Sequence, residues 1–322
     1  MTRTITTALD LGFSEGLSCV TAGKFLKDEQ IHLAVASQAG ILKIIERTGE
    51  AEHVIFNTMD LSDNGAIWTM ESGDVNGDGV DEILVGGMKG AIVCLSAEGE
   101  ESWNFDNLVH QCKSAVSGIS LWKKSPILNK APKKQPITVT YSLDKTIRVF
   151  DCEGKMQWSQ MFSAGVGCVD FGDTNGNGKE ELVAGGNDGT IRVFDGISGE
   201  ILWFKEVGSN IRGVACIKNN MIVCGGDNRE MLCIDGNTQK VLGKRAFPTY
   251  VWLVKKFGDR VMSSSYSFNY VGMEDPTAGE PSIGCYSLPD LKPVWEHDKF
   301  NSQDFIVSES HDHFLAAGTK GN

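Results

Sequence analysis

One unit recurs along the whole 322-residue chain. It is a short apolar strand, a pair of small residues, a polar turn, a second apolar strand, then Gly and often an aromatic. LVAGGNDGTIRVFDGISGEILW at 182–203 shows it best, and LVGGMKGAIVCLSAEGEESW (84–103), TVTYSLDKTIRVFDCEGKMQW (138–158) and IVCGGDNREMLCIDGNTQKVL (222–242) repeat it. Weaker copies are LAVASQAGILKIIERTGEAEHV (33–54), VMSSSYSFNYVG continued by IGCYSLPDLKPVW (261–272, 283–295), and FLAAGTKGN (314–322). Repetition constrains the fold strongly, because each unit must bury its apolar faces against its neighbours.

The polar turns fall near Gly40, Gly90, Lys145, Gly189, Arg229, Ser267 and Gly321, in steps of 38 to 55 residues. Periods of that length with several strands per unit predict an all-β propeller of about four strands per blade. Seven turns predict a seven-bladed β-propeller filling residues 1–322 as a single domain. The last copy is cut short, and TRTITTALDL at 2–11 alternates like an edge strand. The N-terminal strand is therefore expected to pair with the C-terminal blade, closing the ring and removing a free sheet edge. Trp103, Trp158, Trp203 and Trp295 share one register and are expected to pack between blades. The Gly pairs at 86–87, 185–186 and 225–226 would let neighbouring strands converge. His311 and His313 fit a hairpin turn.

A net charge of −12 disfavours a nucleic-acid binder, which needs a basic surface to displace counterions. No apolar run reaches the length of a transmembrane segment, and MTRTITTALDLGF lacks the apolar core of a signal peptide. Nine cysteines are scattered singly, mostly within apolar strands, with no CxxC pair. They read as reduced packing thiols, which predicts a cytoplasmic protein.

DVNGDGVDE at 74–82 spaces oxygen side chains as a hard cation requires. Asp74, Asn76, Asp78 and Glu82, with the Val80 carbonyl, are the expected calcium ligands. A second copy offers Asp173, Asn175, Asn177 and Glu181 with the Lys179 carbonyl, one carboxylate fewer and so weaker. The alternative is a metal-free turn held by Asx-type hydrogen bonds. Either way the loop is expected to staple a hairpin on a blade edge, with the neighbouring acids Asp81 and Glu180 facing solvent.

These residues carry several resemblances. The TIRVFD segments resemble WD-repeat blades, although the Gly-His and Trp-Asp dipeptides of that family are missing. GTIRVFDGISGEILW resembles quinoprotein-like blades, but a quinone-dependent dehydrogenase would carry a vicinal cysteine pair that is absent. DVNGDGVDE resembles the calcium blade of FG-GAP, integrin-α-type propellers. GDTNGNGKEELVAGGNDGTIRVFD after VGCVDF is similar to the cytosolic propellers of the Bardet–Biedl coat complex. The resemblance implies a non-catalytic protein-interaction scaffold, a rigid subunit of a larger intracellular assembly. A calcium-dependent propeller enzyme acting on a phosphoester or sugar is the alternative, although no nucleophile elbow, phosphate loop or zinc motif is present.

Propellers bind through loops leading into their innermost strands. By register these bring Asp63, Asn64, Lys113, Asn210, Arg212, Tyr250, Trp252, Gln303 and Asp304 together, with Tyr250, Trp252 and Arg212 as an aromatic and arginine hot spot. The competing role for Trp252 is packing inside its own blade. An insertion at 122–136 concentrates Lys123, Lys124, Lys130, Lys133 and Lys134, suited to an acidic or phosphorylated partner. GMEDPTAGEP at 272–281 is an acidic counterpart.

Overall fold

The structure is a computed structural model. It describes residues 16–28, 30–47, 53–104, 114–123, 136–152, 154–266, 279–298, 300–308 and 313–320, with backbone only at 47, 53, 101–104, 300–308 and 313–320. The expected N-terminal closing strand therefore lies outside the described residues, as do Lys113, Lys124, Lys130, Lys133 and Lys134.

Six four-stranded antiparallel sheets and one two-stranded sheet follow one another. The first holds β1 (Leu17–Gly23), β2 (His32–Ser37), β3 (Ile41–Arg47) and β4 (His53–Asp60). The second holds β5 (Ile67–Gly73), β6 (Glu82–Gly87), β7 (Ile92–Leu95) and β8 (Glu101–Asn104), after a 3-10 turn at Ser62–Asn64. The third is β9 (Val116–Trp122), β10 (Ile137–Ser142), β11 (Thr146–Phe150) and β12 (Met156–Met161), and the fourth β13 (Val166–Gly172), β14 (Glu181–Gly186), β15 (Thr190–Phe194) and β16 (Ile201–Glu206). The fifth is β17 (Ile211–Ile217), β18 (Met221–Gly226), β19 (Glu230–Asp235) and β20 (Val241–Ala246), and the sixth β21 (Tyr250–Phe257), β22 (Arg260–Tyr266), β23 (Ser282–Tyr286) and β24 (Pro293–Asp298). The hairpin β25 (Phe300–Ser308) and β26 (His313–Lys320) ends the series, with His311 and His313 at its turn as expected.

The first strands of successive sheets lie side by side from β1 through β5, β9, β13, β17 and β21 to β25, and β25 also lies against β1. Second strands are buried on both faces, as in β6 and β14, whereas β12, β16, β20 and β24 share one pattern of alternating exposure. The apolar core sits between sheets. One cluster joins Ile44 and Met59 of the first sheet to Ile83 and Leu95 of the second, and another joins Val183 and Ile191 of the fourth to Ile211 and Cys224 of the fifth. Each fully buried aliphatic side chain contributes about 1.5–3 kcal/mol.

Turn chemistry follows the repeat. Gly40, Gly90, Gly189, Lys145 and Arg229 all have positive φ, between 60° and 88°, at the link between second and third strands. The first Gly of each pair sits where the next sheet's first strand passes. A Cβ at Gly185 would lie 2.5 Å from Ile211 Cγ2, and one at Gly225 would lie 2.3 Å from Val251 Cγ1. Trp158 lies over Gly199 of the following sheet, and Trp203 packs on the cluster shared by the fourth and fifth, so both bridge as expected. Trp295 packs on Leu253 and Cys285 of its own sheet, and the Trp103 side chain lies outside the described residues.

Candidate interaction face

Because strands alternate in direction, links between first and second and between third and fourth strands lie at one end of every sheet. The remaining links, including those between sheets, lie at the other. The ends are called lower and upper here.

All seven first strands carry a β-bulge near their upper end. The ladder skips Ser18, Trp68, Ser117, Gly167, Arg212, Trp252 and Gln303 in turn. A bulge leaves one residue unpaired and re-aims its side chain, and bulges concentrate beside functional sites. Of the hot spot inferred from sequence, Arg212 and Trp252 are such residues. Trp68, 43% exposed, is a third large one that sequence reasoning missed. A signal existed: LSCV, IWTM, VSGI, VGCV, IRGV and VWLV recur at the start of each unit.

On the fifth and sixth sheets the hot spot assembles. Arg212 donates from Nε and Nη2 to the two oxygens of Asp227, both at 2.8 Å, and Asn210 Nδ2 donates to Asp227 Oδ2 at 2.8 Å. The Arg212 guanidinium stands 5.5 Å from the Trp252 ring centroid, and Trp252 packs on Tyr266 of its own sheet at 5.2 Å. Trp252 thus packs within its blade and still faces Arg212. Arg229 sits 5.5 Å from the Tyr250 ring centroid. Arginine over an aromatic face, held by a bidentate carboxylate, is a pre-oriented contact surface.

Neighbouring upper turns are braced alike. Arg192 Nη2 donates to Asp188 Oδ2 at 2.7 Å and Arg148 Nη2 to Asp144 Oδ2 at 2.7 Å. Burial alone would raise the Asp188 carboxyl, but hydrogen bonds from Thr190 and Ser163 and the Arg192 charge hold it below the ordinary range.

The paired Asx loops occupy the lower end, joining first to second strands. This corrects the expected placement on a blade edge. Asp74 Oδ1 accepts the amides of Gly77 and Asp78 at 2.6 and 3.0 Å, and Oδ2 accepts that of Gly79 at 3.1 Å. Glu82 is buried, accepts the Val75 amide at 2.8 Å and pairs with the Asn76 side-chain amide. Asp173 and Glu181 repeat the scheme with Gly176, Asn177, Gly178, Thr174 and Asn175, although Asn177 stands where the first loop has Asp78. The oxygen-only donor set suits a hard cation. Burial, with the charges of Asp78 and Asp74, raises the Glu82 carboxyl, a cost a cation would offset. Among the described residues no three His, Cys, Asp or Glu side chains are gathered as a metal cluster.

Asp81 and Glu180 do not face solvent as expected. Asp81 Oδ2 accepts the Lys24 amide of the preceding sheet at 2.8 Å. At the same loop position Glu180 Oε2 accepts the indole N–H of Trp122, also of the preceding sheet, at 2.9 Å. Each loop therefore ties two sheets together. Lys123, exposed at the end of β9, is the one residue of the proposed lysine surface within the described residues apart from the hot spot itself, and it lies at this lower end, away from Arg212 and Trp252.

Comparison with known proteins agrees on the architecture. A family model described as the lambda-carrageenase beta-propeller domain matches residues 35–120. No curated protein matches in sequence. Among solved structures the chain is similar to Saccharomyces cerevisiae Sqt1, with TM-score 0.67, 17% identity, and coverage of 90% of this chain and 79% of that one. It is similar to the WD40 beta propeller domain of Doa1, with TM-score 0.68, 13% identity and coverage of 96% and 92%. It is also similar to BBS1N, solved in complex with ARL6DN, with TM-score 0.70, 12% identity and coverage of 96% and 91%. At these identities the likeness shows the β-propeller fold alone. No helix among the described residues is long and apolar enough to cross a membrane.

Proposed function

We propose that the chain is a non-catalytic protein-interaction scaffold, a seven-bladed ring that presents its upper face to other subunits of an assembly. The observation that carries this reading is the bulge repeated in seven first strands, which sets Trp68, Arg212 and Trp252 as rigid side chains on one face. Rigid aromatic and arginine anchors are the side chains that dominate protein interfaces. Seven equivalent bulges, and β25 lying against both β21 and β1, support a seven-fold closed ring. No described arrangement favours the calcium-dependent enzyme.

Two finer readings accompany it. Seven of the eight described cysteines are buried, and burial pushes the Cys224 and Cys233 thiols up to about 12, which suits inert packing thiols in the cytoplasm. Calcium, held by Asp74, Asn76, Asp78, Glu82 and the Val80 carbonyl, and more weakly by the second loop, would neutralise the carboxylates of the lower loops. The test of the main reading is native co-purification with tagged wild type, Arg212→Ala/Trp252→Ala, Lys133→Glu/Lys134→Glu and the circumferential Leu202→Ser. Loss of specific partners only in the Arg212/Trp252 variant is expected. Equal recovery with that variant and wild type would overturn the reading.

A further inference from the structure

The upper face continues from the bulges into a second, differently built patch on the second to fourth sheets. Trp68, Met88 and Leu143 are 43%, 42% and 41% exposed. They are linked through close neighbours. Met88 packs over Gly65 and bonds through its amide to Ala66, while Leu143 bonds to Ala115 beside Val116, which crowds Gly86. Leu143 and Asn187 then flank Gly165. Most other exposed large apolar residues lie on the outermost strands, several of them at bulges that disfavour edge-to-edge pairing, as at Leu202, Leu242 and Val294. Trp68, Met88 and Leu143 have no such explanation.

Two further features mark the patch as incomplete. Ser117 Oγ, on the bulge residue between Trp68 and Leu143, and Asn187 Oδ1 are shielded from solvent without a hydrogen-bond partner. Shielded polar atoms are almost always satisfied, so both call for a donor from outside. Exposed Lys89 and Lys145 border the patch on the turns of Met88 and Leu143, a local excess of cations in a chain of net charge −12.

We infer that this patch binds an acidic peptide segment of a partner protein. An apolar side chain of the peptide lies among Trp68, Met88 and Leu143. Its backbone amides donate to Asn187 Oδ1 and Ser117 Oγ, and its carboxylates face Lys89 and Lys145. The inference rests on the scaffold reading and names one subsite and its ligand class.

The test is selection of a displayed library of random dodecapeptides on the whole purified chain, followed by anisotropy with the selected peptides. Selected sequences should combine a large apolar residue with Asp or Glu. Trp68→Ala and Leu143→Ser should each weaken binding roughly tenfold or more, Lys89→Glu/Lys145→Glu similarly, and added salt should weaken the wild type. Leu202→Ser should bind as wild type, and thermal melts would confirm that these surface variants fold. Peptides that depend on Trp252 but not on Trp68 or Leu143 would overturn this subsite while leaving the scaffold reading intact. Enrichment of basic peptides, or affinity unchanged in all three patch variants, would also refute it. No enrichment at all would count against both readings.

Discussion

The link from Trp122 to Glu180 makes the tie between sheets measurable. Trp122 is 1% exposed, stacks on Phe171 at 4.7 Å with planes 9° apart, and donates to the Glu180 carboxylate at 2.9 Å. A hydrogen bond to a charged group is worth about 1.5–3 kcal/mol, and the half-buried position of Glu180 places this one near the lower end. Glu180→Ala strands a buried indole N–H and should cost about 1.5 kcal/mol. Trp122→Phe keeps an aromatic on Phe171 but loses both the donor and ring volume, costing about 2–3 kcal/mol. In urea unfolding near neutral pH the double variant should fall short of the sum by about 1 kcal/mol, the coupling of the pair. Glu180→Gln, which still accepts, should recover part of the loss. A coupling below roughly 0.3 kcal/mol would refute the idea that the lower loops brace neighbouring sheets.

Other outcomes follow from the same structure. Burial raises the Asp170 carboxyl from 3.8 to about 6, while its Oδ2 accepts the Cys216 amide at 2.6 Å across two sheets. A raised folded pKa contributes stability below the unfolded value and loses it as pH rises through 6, so Asp170→Asn should stabilise by roughly 1–2 kcal/mol at pH 8 and not at pH 4 in paired denaturation curves. Lys145 has φ of 74°, so Lys145→Gly should raise stability by about 0.5–1 kcal/mol in urea unfolding, and a loss would show that the Lys side chain outweighs its backbone strain. Calcium should raise the melting temperature of wild type and chelation lower it, with Asp74→Ala insensitive to both. An identical calcium response in Asp74→Ala would leave the loops as metal-free turns.

Much of the scaffold was legible in sequence because its causes are local. Positive φ at Gly40, Gly90 and Gly189 follows from turn chemistry, and the Gly pairs mark where strands converge. Lys145 and Arg229 were placed by repeat spacing, since neither residue type advertises a left-handed turn. The destinations of Asp81 and Glu180 were misread because an acid beside a cation-like loop looks solvated until the preceding sheet supplies its partner. The bulges were hidden for a related reason. A skipped residue exists only relative to the strand beside it, so Arg212 and Trp252 could be chosen by chemistry while Trp68 and Ser117 could not be chosen by register.

A crystal structure of the full chain tests the central claim most directly. Seven sheets around one axis are predicted, with the last hairpin beside β1 and the residues at 18, 68, 117, 167, 212, 252 and 303 bulged toward a single face. A gap between first and last sheets, a different number of sheets, or Trp68, Arg212 and Trp252 on separate faces would contradict it.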